Sequence, residues 1–337
     1  MYLEHFGLAL KPFEVTPDPR FLFEAPAHRE ALASLTYGIQ ERRGFISLVG
    51  EVGTGKTTLL RTLLDSLDAS VRAVLITHTT INREELLRLI LAELEISAGT
   101  NRVEMLHRLQ EFLLARWGRS ELTLLIVDEA QNLPRSVLEE IRLLTNLETA
   151  EAKLLQVILA GQPELERTLR RPELRQLQQR ISVHARVGPL TVEQTGQYVR
   201  HRLRVAGRRH QTLFTPAAIQ ALWKASRGIP RLINLLCDHA LLTAFAAGEH
   251  RIAVRFIDEV GRDLGLTRGM GARWRQGVLR VLRPIDRLAG RVREMATTGE
   301  VAVGATSRAQ PVPGTSPAAR VSKQDAGWAS RATKTGR

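Results

Sequence analysis

Two short stretches carry the residue types of phosphoryl chemistry. Residues 50–58 read Gly-Glu-Val-Gly-Thr-Gly-Lys-Thr-Thr, which fits the phosphate-binding pattern G-x-x-x-x-G-K-[ST] with Gly50, Gly55, Lys56 and Thr57 at the required positions. Residues 122–129 read Leu-Thr-Leu-Leu-Ile-Val-Asp-Glu, an apolar run ending in two carboxylates. Glycines let a loop curl its N–H groups around phosphate oxygens, and a following helix adds unpaired donors and partial positive charge. The loop residues Gly50, Glu51, Val52, Gly53, Thr54 and Gly55, with Lys56, Thr57 and Thr58 opening a helix, are therefore the expected nucleotide cradle. Lys56 would neutralise charge on the outer phosphates. The Thr57 hydroxyl and Asp128 would hold Mg²⁺, and Glu129 is placed to polarise an attacking water.

Such a site needs a strand before the loop, a helix after it and a second buried strand ending at Asp128. The sequence supplies them. Strand-like runs at 45–49, 71–77, 122–128, 154–160 and 181–187 alternate with helical patterns, beginning with a helix over about 28–40. Runs apolar on both faces, such as 122–127, predict a parallel sheet covered by helices, an α/β domain over 28–189. After Pro189 the strand signals stop. Residues 191–204, 215–226, 230–247 and 254–264 have helical spacing, with Thr191 and Thr215 as N-caps and Gly207, Gly228 and Gly248 as breaks. A small all-helical domain over 190–264 is expected. Residues 1–27 form a proline-rich arm whose aromatics would pack on the core.

The net charge of +13 is uneven, because residues 265–337 hold 14 Lys and Arg against 4 Asp and Glu. Basicity thus belongs to the C-terminal part, where 265–296 carries an amphipathic pattern, with Trp274, Val278, Leu282, Ile285, Leu288 and Val292 opposite arginines and Pro284 interrupting it. Beyond it, 297–337 is Gly-, Ser-, Thr-, Pro- and Ala-rich, and disorder is expected there. The single Cys237 excludes an internal disulfide and a thiolate zinc cluster, and the nine histidines form no H-x-x-x-H pair, so no protein-bound transition metal is expected. No membrane-length apolar stretch and no signal-peptide layout are read, which predicts a cytoplasmic chain.

More of the chain than these two motifs fits one family. Phe45–Thr58, then Asp128-Glu129-Ala130-Gln131-Asn132-Leu133, Leu138–Glu148, Leu159-Ala160-Gly161-Gln162-Pro163-Glu164-Leu165 and Gly228-Ile229-Pro230-Arg231-Leu232-Ile233-Asn234 together resemble the ExeA/GspA-like AAA+ ATPases, the general secretion pathway protein A family. So do the opening Phe6-Gly7-Leu8 and Pro17-Asp18-Pro19. The resemblance covers about residues 1–262. It implies a P-loop fold with a helical lid domain, ATP and Mg²⁺ as cofactors, and a homo-oligomer, a hexameric ring among the forms it allows. It also implies further roles. Gln162 is the candidate polar sensor after the fourth strand, Arg180 the candidate arginine finger reaching a neighbour's nucleotide, with Arg175 as its rival, and Arg231 the candidate lid arginine on the outer phosphates. His28 and Arg29 lie where such ATPases often receive adenine, a solvated helix start being the alternative.

Family members first named in type II secretion carry a membrane span and a peptidoglycan-binding region after the ATPase. Here a basic amphipathic helix and tail instead resemble the shorter members associated with exosortase and polysaccharide export. The first expectation is an ATPase serving an envelope export or assembly system, docking through 272–296 on a membrane or membrane protein, peripheral to the inner membrane. The second is a DNA-associated regulator of the transposition-helper type, with the basic tail on phosphates. The third is an ATP-binding switch with little turnover, against which Glu129 argues.

Overall fold

A computed structural model describes residues 2–266 apart from 15–17, 151 and 209–211. Of the expected amphipathic segment 265–296, residues 267–296 lie outside the described residues, as does the expected tail 297–337. In chain order the elements are α1 (Tyr2–His5), α2 (Pro26–Gln40), β1 (Phe45–Gly50), α3 (Lys56–Ser66), β2 (Val71–Ile76), α4 (Arg83–Glu93) and α5 (Arg102–Trp117). They continue as β3 (Leu122–Val127), α6 (Arg135–Leu144), β4 (Leu155–Gly161), α7 (Pro163–Leu169), α8 (Arg175–Arg180) and β5 (Ile181–Val187). The remaining helices among the described residues are α9 (Val192–Val205), α10 (Pro216–Ser226), α11 (Pro230–Ala246) and α12 (Val254–Asp263).

The five strands form one parallel sheet in the order β2-β3-β4-β1-β5. Burial follows from that order. β1 and β4 are buried at every position, as central strands covered on both faces must be, whereas β5 at the edge exposes Ser182, His184 and Arg186 in alternation. One face of the sheet packs Leu125, Val127, Val157 and Leu159 against α4, α5 and α6, and the other packs Ile46, Leu48, Ile126 and Ile158 against α2 and α3.

Caps fix the starts of the helical elements. Thr191 accepts from Gln194 N–H in a reciprocal capping box, and Thr215 accepts from Ala218 N–H, as their sequence context predicts. Helices α9–α12 bury a third cluster that includes Leu222, Leu232, Leu236, Leu241 and Phe256. The arm belongs to this cluster. Its Phe6, Phe13 and Phe21 are buried among α9–α12 and not in the α/β core, because the helical group is where an unfilled apolar face meets them.

A buried cation ties the arm down. Arg202, 7% exposed, donates from Nε to Pro12 O, from Nη1 to Tyr198 Oη (2.8 Å) and from Nη2 to Glu14 O (3.4 Å), and its guanidinium lies 4.8 Å from the Phe21 ring centroid. Tyr198 passes the chain of bonds on to Asn234 Oδ1 at 2.8 Å. Arg202→Met would strand two carbonyls and a hydroxyl, so urea unfolding should lose about 2–3 kcal/mol of stability. A loss under about 0.5 kcal/mol would show that water replaces the guanidinium and that the arm is held by its aromatics alone.

Candidate nucleotide site

The strand order brings the two chemical motifs together. β1 ends at Gly50 and β3 at Val127, with β4 lying between them, so all three carboxyl ends face the same edge of the sheet. In open parallel sheets that edge is where ligands bind. The loop after β1 feeds α3, whose first residue is Lys56 and whose N-cap is Gly55.

The loop is shaped by close approaches. Gly53 has φ +79°, and a Cβ there would lie 2.8 Å from the Arg231 Cβ and 3.2 Å from Ile229 Cγ2. Glycine at 53 is therefore what allows α11 to rest on the loop, an approach closed by the Arg231 N–H donating to Gly53 O at 3.3 Å. On the other side His28, the third residue of α2, donates from Nε2 to Thr54 O at 2.9 Å, the acceptor being a carbonyl. Burial lowers the His28 pKa, against the raising effect of the Thr54 hydrogen bond. Thr54 is fully buried and its hydroxyl donates to Glu51 O at 2.8 Å, while Glu51 is exposed and Val52 packs towards the helical group. Thr58 lies half-buried in the first turn of α3.

The charged groups converge at the mouth of this loop. Lys56, 5% exposed, donates from Nζ to Gly50 O (2.9 Å) and Glu51 O (3.2 Å). Burial lowers its pKa, and the opposite charges of Glu129, Asp128 and Glu51 work against that shift. Thr57 Oγ1 donates to Asp128 Oδ2 at 2.7 Å, so the two residues expected to share a cation already touch. Asp128 is 3% exposed, and its burial raises its pKa against the lowering effect of the Thr57 hydrogen bond. Glu129 stands in the left-handed region at φ 54°, ψ 35°, a conformation costing a non-glycine residue about 1–2 kcal/mol. Its backbone N–H donates to Asp128 Oδ1 at 2.9 Å, and its Oε2 accepts from Gln162 Nε2 at 3.0 Å. Strain of this kind concentrates at functional positions.

These residues suit a magnesium-bound nucleoside triphosphate. The loop leaves β1 too close to its neighbours for any side chain at its first residue, since a Cβ on Gly50 would meet Val187 O at 2.5 Å and Thr54 Oγ1 at 2.9 Å. Lys56 now satisfies its ammonium on loop carbonyls, a weak substitute for the anionic oxygens it would neutralise. Thr57 and Asp128 offer hard oxygen ligands of the type Mg²⁺ takes. Bound there, the ion would draw negative charge from phosphoryl oxygens.

Of the other candidates, the structure brings some to the site and leaves others apart. Gln162 stands at the tip of β4 beside Glu129. Arg231, by its backbone, stands on the loop. Arg180 does not reach its own chain's site. β5 runs parallel to β1, with Ile181 opposite Phe45 and Val187 opposite Gly50, so Arg180 lies at the far end of the sheet, roughly 20 Å from the loop at 3.3 Å per residue. Its Nη1 donates to Thr145 Oγ1 (3.1 Å) and Arg142 O (3.4 Å) at the end of α6. Arg175 is exposed at the start of α8, in the same region. Gln131, given no role by the sequence, donates from Nε2 to Glu129 Oε2 at 2.6 Å. Its one sequence signal is a position two residues after Glu129, on the turn that carries that carboxylate.

The fold and the site define a P-loop protein of the AAA class, and residues 39–169 match the AAA domain family. The expected resemblance to general secretion pathway protein A holds: the chain is 45% identical over 283 residues to that protein of Aeromonas hydrophila, a span covering 83% of this chain and 51% of the relative. The chain thus spans about half the length of that relative. Among solved structures it is similar to Cdc6p from Pyrobaculum aerophilum, with a TM-score of 0.60 at 20% identity over 77% of this chain and 72% of that one. It is also similar to the ORC2 protein of Aeropyrum pernix in its ADPNP–ADP complexes, with a TM-score of 0.55 at 16% identity over 75% and 71%. These structural likenesses speak for the fold alone. Among the described residues no helix is long and apolar enough to cross a membrane, and no group of His, Cys, Asp and Glu is arranged to hold a metal through protein ligands only.

Proposed function

We propose that the chain binds Mg-ATP and hydrolyses it as a homo-oligomer, and that turnover drives or regulates assembly of an envelope secretion or polysaccharide-export system. One observation carries the ATPase reading: Lys56, the Thr57–Asp128 contact and Glu129 meet at the carboxyl ends of β1 and β3. Lys56 binds the outer phosphates, Thr57 and Asp128 orient the cation, and Glu129 takes the proton of the attacking water. Gln162, beside Glu129, and Arg231, whose backbone rests on the loop, would add polar contacts to the same nucleotide. The oligomer reading is supported by the position of Arg180, which is too distant to serve its own site. The secretion role is supported by the identity with general secretion pathway protein A, which runs well beyond the AAA match. A cytoplasmic location beside the inner membrane, with contact to a membrane or membrane protein through 272–296, accords with that role.

The decisive test is nucleotide binding to Lys56→Ala. Titration with a fluorescent ATP analogue should show at least a hundredfold loss of affinity, since a buried charge-assisted contact is removed. Retention of wild-type affinity would sink the assignment of this loop as the phosphate cradle.

A further inference from the structure

Gln131 is held at both ends of its carboxamide. Its Oε1 accepts from the backbone N–H of Gln162 at 3.0 Å, and its Nε2 donates to Glu129 Oε2 at 2.6 Å. The orientation of the amide is forced: a backbone N–H only donates and a carboxylate only accepts, so turning the group over would set like against like at both ends. Space for it is reserved, because a Cβ on Gly161 would lie 2.7 Å from Gln131 Oε1. Gln162 Nε2 adds a second donor to the same carboxylate oxygen.

We infer that Gln131 is the positioning residue for Glu129, and that it makes the carboxylate answer to the tip of β4. The inference rests on the proposed role of Glu129 in polarising water. A glutamate side chain on a turn samples many rotamers. Two donors converging on Oε2 fix its direction and present Oε1 for the water proton, a constraint of the sort whose loss costs rate and not affinity. Because the acceptor end of Gln131 is bonded to the residue that opens α7, a displacement of α7 or of the β4 tip passes through one rigid amide to the carboxylate. Binding residues and proton acceptor are thereby set by different elements: the loop after β1 for the one, the tip of β4 for the other.

The test uses the full chain with Gln131→Leu, of similar volume without donor or acceptor, made in wild type and in Glu129→Gln. Single-turnover hydrolysis and the Kd for a fluorescent ATP analogue are measured on all four proteins. Gln131→Leu should lower the hydrolysis rate roughly 10- to 100-fold while Kd stays within about twofold, and it should cause no further loss in Glu129→Gln. An unchanged rate, a Kd that weakens in step with the rate, or an equal rate loss in both backgrounds would overturn the inference in favour of a merely structural amide. Gln131→Met, which keeps the chain length, repeats the measurement if the leucine variant does not fold. Should Glu129→Gln itself turn over like wild type, the reading of Glu129 fails; loss in Glu129→Gln without loss in Gln131→Leu fails the positioning role alone.

Discussion

Arg180→Ala is expected to lower steady-state ATP turnover by about 10³–10⁵-fold while leaving nucleotide affinity close to wild type. The size comes from the charge clamp. A phosphoryl group in flight spreads negative charge over its oxygens, and a guanidinium delivered at that moment stabilises the transition state more than the ground state. On the proposed role the guanidinium would have to come from another copy, since Arg180 stands at the opposite end of the sheet from its own loop. Mixing provides the control. Lys56→Ala retains its arginine and lacks a working cradle, Arg180→Ala retains its cradle and lacks the arginine, and equal amounts of the two inactive proteins should recover measurable turnover. No recovery, with both variants folded, would remove Arg180 from the site and favour Arg175. Arg180 also bonds Thr145 Oγ1 and Arg142 O, so a modest loss of thermal stability is expected in addition and is separable by melting.

Glu129→Gln carries the second large effect. Turnover should fall by about 10²–10⁴-fold, the usual contribution of a positioned general base, with ATP still bound and slow to leave. The amide keeps the shape of the side chain and one acceptor oxygen, but it replaces the other oxygen with an N–H donor that cannot accept the water proton. Trapped ATP is read by retaining labelled nucleotide through gel filtration. Equal turnover in wild type and variant would mean that this acid has no part in the chemistry and would revive the reading of the chain as a nucleotide-binding switch.

How much of this the sequence discloses depends on the range of the interaction concerned. The loop 50–58 and the pair Asp128-Glu129 are legible because glycine spacing and an apolar run ending in acids are local patterns, and strand boundaries within a residue of the observed ones follow from the same locality. The insertion of β4 between β1 and β3 is not local. No spacing rule says that β4 will stand between β1 and β3, and the bond of Gln162 to Glu129 is visible only once that order is seen. Gln131 escapes for a related reason: an amide side chain after an acidic pair reads as ordinary turn chemistry until its two partners are in place. The arm shows the limit of composition. Phe6, Phe13 and Phe21 announce burial, but apolar burial has no direction, and they settle in the helical group instead of on the sheet.

The strand order also governs when the site comes into being. β2 pairs with β3 alone and needs only the segment between them, whereas β1 pairs with β4 and β5, strands made after α6 and α8 respectively. The loop is gripped further by α11, through Arg231 and Gly53, which emerges later still. Long-range pairings form slowly because loop closure must precede them. A nascent chain therefore carries an unfinished cradle until most of its length has left the ribosome. On the proposed function, a nucleotide that binds the completed loop would favour the finished fold over shorter intermediates, acting as a late selector of correctly folded molecules.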